Sequence, residues 1–188
     1  MADTLTILAL CGSLRKGSYN RMALSAVEKL APTDVTIETY DIALLPHYDD
    51  DIRVRGFPPE VTQLRAKIAA ADALLFVTPE YNYSVPGVLK NAIDWASRPP
   101  EQPFNDKPVA AMGASQGLSG GGRAQFHLRQ VLIYLNAHFI NKPEVMITEA
   151  QKRFDTAGNL VDETTKDLIR ELVQSLAVWT RRLKAGQS

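Results

Sequence analysis

The chain has 188 residues, 45% of them hydrophobic and 22% charged, with eleven Gly, eleven Pro and one Cys. That length and balance describe a globular chain able to bury a core and exclude collagenous, low-complexity and disordered classes. Twenty-one Lys plus Arg against twenty-one Asp plus Glu leave a formal charge of zero, so there is neither the basic footprint of a nucleic-acid binder nor a polybasic membrane anchor.

In chain order, Leu5 to Cys11 reads as a continuously apolar, buried strand broken by Gly12. A helix starts near Asn20, with Met22, Ala26, Val27 and Leu30 on one face. Val35 to Asp41 alternates Val35, Ile37 and Thr39 against Thr36, Glu38 and Tyr40, the pattern of a half-buried strand. Residues 42–58 read as a loop around Asp49-Asp50-Asp51. A helix from Pro59 to Ala71 leads into a second apolar strand, Ala73 to Val77. Pro86 to Ala96 is a short helix with proline near its first turn, where the missing N–H costs nothing. After the Arg98–Pro103 loop, Pro108 to Ala114 is another buried strand. Arg123 to Asn136 carries Ala124, Leu128, Val131, Leu132 and Leu135 as one apolar stripe. A last strand falls in His138 to Ile147, and a closing helix in Asp162 to Lys184 turns Ile169, Leu172, Val173, Leu176 and Leu183 inward.

Alternating apolar strands and helices imply a parallel sheet covered on both faces, because parallel strands need crossover connections. No repeat or linker divides the chain, so residues 1–188 are expected to form a single domain. In such sheets ligands bind beyond the carboxyl ends of the strands, at the topological switch point.

Three loops occupy such positions. Loop one, Gly12-Ser13-Leu14-Arg15-Lys16-Gly17-Ser18-Tyr19-Asn20, puts hydroxyls, an Arg and an amide directly before a helix N-terminus. This is an anion-binding composition. A plain helix cap at Ser18 or Asn20 explains the hydroxyls and amide but leaves Arg15 without purpose. Ser18 stands where a triphosphate-binding P-loop requires Lys, and no G-x-G-x-x-G is present. Loop two, Pro79-Glu80-Tyr81-Asn82-Tyr83-Ser84-Val85-Pro86-Gly87, offers flat rings and an amide between prolines. It fits either a planar heteroaromatic ligand or tyrosines packed on neighbouring helices. Loop three, Ser115 to Gly122, has glycines that allow close backbone approach, and equally fits a flexible connection. Taken together, one phosphate end and one flat-ring slot suit a mononucleotide, with FMN the natural candidate.

The chain resembles the NAD(P)H-dependent FMN reductases of the flavodoxin-like superfamily, a group that includes bacterial quinone, chromate and azo-dye reductases. The resemblance rests on Gly12-Ser13-Leu14-Arg15-x-Gly17-Ser18-x-Asn20 and on Pro79-Glu80-Tyr81-Asn82-Tyr83-Ser84-x-Pro86-Gly87-x-Leu89-Lys90-Asn91-Ala92-Ile93-Asp94-Trp95, with no departure inside either motif. It implies an α/β three-layer sandwich with a five-stranded parallel sheet of order 2-1-3-4-5. It also implies FMN bound by its phosphate at Ser13, Arg15, Ser18, Tyr19 and Asn20. Pro79, Glu80, Tyr81, Asn82 and Tyr83 would line the ribityl chain and ring, and Ser115 would approach from loop three. Leu89 to Trp95 would serve helix packing and subunit contact. NAD(P)H would be the co-substrate and a quinone, free flavin, chromate or azo dye the acceptor, in a ping-pong scheme without a named acid–base residue. Backbone donors near Asn82 and Ser115 would act on the charge of the reduced flavin.

Other residues read as structural. Cys11 closes a buried strand, and as the lone cysteine it permits no intrachain disulfide. His47 with Asp49, Asp50 and Asp51 is a solvated loop rather than a metal cluster, because Arg53 and Arg55 follow. His127 and His138 are far from the loops in sequence, and Trp95 and Trp179 read as packing. Phe126, Ile133 and Tyr134 lie off the main stripe of their helix and imply a homodimer or homotetramer. Apolar runs stop at five residues, against about 20 for a membrane span. Met1-Ala2-Asp3-Thr4 lacks a basic leader, so the cytoplasm is the expected compartment. Two rivals remain. A flavodoxin-type electron carrier docks basic partners through an acidic surface, which zero net charge does not provide. A Rossmann dinucleotide protein would use Asp41 as its ribose acid but lacks the glycine fingerprint.

Overall fold

The computed structural model describes residues 4–186. Met1–Asp3, read above as lacking a leader, lie outside the described residues. The strands are β1 (Leu5–Cys11), β2 (Val35–Tyr40), β3 (Ala73–Val77), β4 (Pro108–Ala114), β5 (His138–Phe139) and β6 (Val145–Ile147). They pair in parallel in the order β2-β1-β3-β4-β5, with β6 also on β4. The helices are α1 (Tyr19–Leu30), α2 (Asp50–Arg53), α3 (Pro59–Ala70), α4 (Gly87–Ala96), α5 (Gly122–Ile133) and α6 (Glu163–Ala185).

Successive strand residues point to opposite faces, which divides the core in two. Ile7, Ala9, Leu75, Val77 and Met112 pack against α1 and α6. Leu8, Leu10, Leu74, Phe76 and Val109 pack against α3, α4 and α5. Both faces of β1, β3 and β4 are therefore covered, and this is why they read as unbroken apolar runs.

Four sequence expectations are corrected. At the outer strand β2 the inward residue at the carboxyl end is Tyr40, and Thr39 is exposed. Tyr40 reaches the second core and donates its hydroxyl to the Glu60 carbonyl at 2.7 Å. The last strand is two short strands on successive halves of β4, because Lys142-Pro143 interrupts it and proline lacks a ladder donor. The helix expected from Pro86 starts at Gly87, with Pro86 as its N-cap. On α6 the terminal inward positions are Ala177 and Thr180, while Leu183 is half-buried. Within 42–58 the structure adds a 3-10 turn, Ile42–Leu44, and the short helix α2.

Candidate flavin site

After β1 the chain runs out to β2, then returns to place β3 on the other side of β1. The switch point therefore lies between β1 and β3. A cleft of about 230 Å³ opens beyond it, lined by Ser13, Arg15, Ser18, Tyr19, Asn20, Pro79, Glu80, Tyr81, Ala114, Ser115 and Gln116. Nine of the eleven residues singled out in the sequence meet here; Asn82 and Tyr83 form the turn beyond its lip.

Loop one combines fixed and unengaged groups. Ser18 caps α1 by accepting from the Asn20 N–H at 3.2 Å, and the first amides of the helix face outward. Asn20 is buried, and its side-chain amide both donates to the Ala114 carbonyl and accepts from the Ala114 N–H, each at 2.9 Å. Its amide ties α1 to β4 and is occupied, so it serves the cleft as scaffold. The Ser13 carbonyl accepts from Arg21 Nε at 3.0 Å and from the Cys11 thiol at 3.8 Å. Burial pushes the Cys11 thiol pKa up, which keeps it protonated behind the loop. The Arg15 carbonyl accepts from the Ser18 N–H at 3.2 Å, but among the described residues its guanidinium has no hydrogen bond or ion pair. An unengaged guanidinium beside two buried hydroxyls and a helix N-terminus is the donor set an anionic phosphate requires.

Loop two is a tight hairpin. Tyr81 and Ser84 exchange two backbone hydrogen bonds of 3.0 Å, and Asn82 (φ 48°) and Tyr83 (φ 67°) both sit in the left-handed region. This is a type I′ turn, in which the second central position favours glycine; a Tyr there costs roughly 1 kcal/mol. Such strain persists where surrounding contacts over-determine it. Glu80, whose side chain is 9% exposed, accepts from the Arg123 N–H at 3.0 Å and from Arg123 Nη1 at 2.5 Å. Its carboxylate is thus directed to the start of α5. The Arg123 guanidinium lies 3.9 Å from the centre of the Tyr83 ring. His127 Nδ1 and Ser84 Oγ are hydrogen-bonded at 2.9 Å. His127, distant from loop two in sequence, adjoins it in space. Arg123 and His127 escaped the sequence reading; their spacing of one helical turn, off the apolar stripe, was the available signal.

Loop three is packed backbone to backbone on β4 and on Thr78, the residue that leads into loop two. A Cβ at Gly113 would come within 2.6 Å of the Thr78 carbonyl oxygen and 2.7 Å of that of Gly120. The Ser115 hydroxyl donates to the Gly117 carbonyl and accepts from the Gly120 N–H, both at 3.0 Å. The Ser115 N–H donates to the Ile147 carbonyl at 3.0 Å. The Ser115 N–H is thus engaged within the protein.

The long second motif has a further use. On α4, Asn91 accepts from the Tyr48 N–H at 2.7 Å and donates to the Pro46 carbonyl at 2.9 Å, and the buried Trp95 donates to that carbonyl at 2.8 Å. The helix holds the 46–48 segment as well as packing on the sheet. Asp49 caps α2 and Asp50 pairs with Arg53, which lowers the Asp50 pKa to about 2. Asp41 caps the 3-10 turn by accepting from the Ala43 N–H at 3.1 Å.

Comparison with known proteins agrees with this geometry. Residues 5–152 match the family model described as NADPH-dependent FMN reductase. An NAD(P)H-dependent FMN reductase of Pseudomonas aeruginosa is 55% identical over 184 residues, covering 98% of this chain and 100% of that protein. The quinone reductase of Escherichia coli is 43% identical over 187 residues, covering 98% of this chain and 100% of its own length. Among solved structures, the flavoenzyme NAD(P)H:(acceptor) oxidoreductase of Paracoccus denitrificans superposes with a TM-score of 0.87 at 35% identity, covering 95% of this chain and 98% of that one. With a cleft at the switch point, an unengaged guanidinium in its first loop and relatives matched end to end, the chain belongs to the NADPH-dependent FMN reductase family.

Proposed function

We propose that the protein is an FMN-dependent NAD(P)H oxidoreductase acting on quinones or similar small acceptors. The cleft where Arg15 stands unengaged beside Ser13 and Ser18, at the mouth of β1, β3 and β4, carries this reading. Ser13, Arg15, Ser18 and Tyr19 hold the FMN phosphate, with Asn20 fixing the loop. Pro79, Glu80, Tyr81, Asn82 and Tyr83 line the ribityl and ring side, and Ser115 anchors loop three beside it. Bound FMN supplies the hydride-accepting and electron-donating chemistry. The protein would bind the cofactor in the cleft and admit both substrates in turn to the same place, a ping-pong order. Residues 1–188 act as one flavodoxin-like unit.

No helix among the described residues is long and apolar enough to cross a membrane, and we place the enzyme in the cytoplasm. Phe126, Ile133 and Tyr134 are exposed on and just after α5, a face that a second copy would cover in a homodimer or homotetramer.

The deciding experiment mixes the FMN-loaded protein with NADPH or NADH without oxygen. Rapid bleaching of the flavin band, reversed by a quinone, is the expected result. A flavin that binds but is bleached by neither nicotinamide identifies an electron carrier instead. Failure to take up FMN overturns the cofactor assignment.

A further inference from the structure

Arg123 and His127 stand one turn apart on α5, and both reach loop two: Arg123 through Glu80 and the Tyr83 ring, His127 through the Ser84 hydroxyl. These three attachment points bracket the Tyr81–Ser84 turn before, at and after its tip. The turn needs them, because Tyr83 adopts φ 67° where its own side chain disfavours that conformation. Glu80 is nearly enclosed and the acid lies at the amino end of α5, so the attachment favours one position of the loop relative to the helix.

We propose that Arg123 and His127 are positioning residues for the flavin site: a clamp on the outer face of α5 that holds loop two in its cofactor-binding conformation. This rests on the assignment of loop two to the flavin. Neither residue lines the cleft, so neither is a catalytic residue. The clamp also joins loop three to loop two, because α5 begins directly after Gly120 and Gly121.

The test is FMN titration by fluorescence, with visible circular dichroism of the bound flavin, on the full chain and its variants. Arg123→Ala should weaken FMN binding about three- to tenfold, less than the full worth of a charge-assisted hydrogen bond because the lost contact holds the loop rather than the cofactor. His127→Ala should weaken it about twofold and His127→Asn, which keeps a donor near the Nδ1 position, should restore it. Both alanine variants should alter the flavin circular dichroism while melting with the wild-type chain. In a Tyr83→Gly background, where the turn is specified by its own residues, the His127→Ala effect should vanish.

An effect of unchanged size in that background overturns the clamp. So do unchanged FMN affinity and flavin spectrum in both alanine variants while Arg15→Ala weakens binding, an outcome that leaves the flavin site standing. A wild-type chain that takes up no FMN overturns both. Should Arg123→Ala fail to fold, the two His127 variants carry the test alone.

Discussion

At the amino-terminal rim of the sheet, Arg181 donates to Asp34 at 2.7 Å, and Asp72 accepts from Lys184 and from the Thr6 N–H. Lys107, beside them, donates to the Ala69 and Ala71 carbonyls, closing the end of α3. At the opposite rim Arg15 has no such partner among the described residues, and hydroxyls and helix amides surround it. The same strands therefore end in charges that satisfy one another at one rim, whereas the other, beside its Glu80–Arg123 pair, keeps the Arg15 guanidinium unengaged. Substitutions at the first rim should cost stability without cost to ligand binding; at the second the reverse should hold.

The largest effect breaks that division. Gly113→Ala would place a methyl group against two backbone carbonyls that cannot move aside. A loss of about 3 kcal/mol in urea denaturation is expected, together with loss of FMN binding, since loop three and the entry to loop two are pushed apart. A stable, flavin-competent variant would show that the loops are not packed as described. Arg15→Ala should weaken FMN binding roughly 10- to 100-fold while leaving the denaturation midpoint in place. Equal loss of stability would erase the contrast between rims.

Asp72→Asn should do the opposite, costing about 1.5 kcal/mol with FMN affinity unchanged. Burial raises the Asp72 pKa, but Lys184 and the Thr6 N–H outweigh it and hold the carboxyl below its ordinary value. A depressed folded value contributes stability above the unfolded value of 3.8, and that contribution disappears as pH falls through the folded value. The variant and the wild type should therefore converge in acid, as denaturation at neutral pH and at low pH would reveal. Asp162→Ala removes the cap of α6, an acceptor for the Thr165 N–H at 2.9 Å, and should cost about 1 kcal/mol. A thermal scan that finds no change there would mean Arg153 and Asp162 contribute little at the outer end of that helix.

The central strands were legible because burial on both faces leaves an apolar run with no competing period: β1, β3 and β4 begin and end where the sequence placed them. β2 was misphased at its carboxyl end because an outer strand is only partly covered, and Tyr40 could turn either way until α3 supplied an acceptor. The break between β5 and β6 was in plain view at Pro143, yet apolar residues on either side suggested one strand. Nine cleft residues came together because fold position and motif agreed. Arg123 and His127 could not be found by motif alone, since contact between loop two and α5 depends on how far apart β3 and β4 hold them. Asn20 was seen as a polar group near a phosphate, but only the three-dimensional arrangement reveals the backbone it faces.

That last contact bears on the order in which the molecule becomes competent. The Asn20 amide imitates a peptide unit, completing a pair of hydrogen bonds with Ala114 across 94 positions of chain. Closing so long a loop belongs late in assembly, after local helices and adjacent strands have formed. The loop-one end of the cleft is therefore finished only when the fourth strand docks, although its own residues lie in the first twenty. Flavin uptake during refolding should accordingly report the arrival of β4, and an intermediate that has formed only the amino-terminal half should stay colourless.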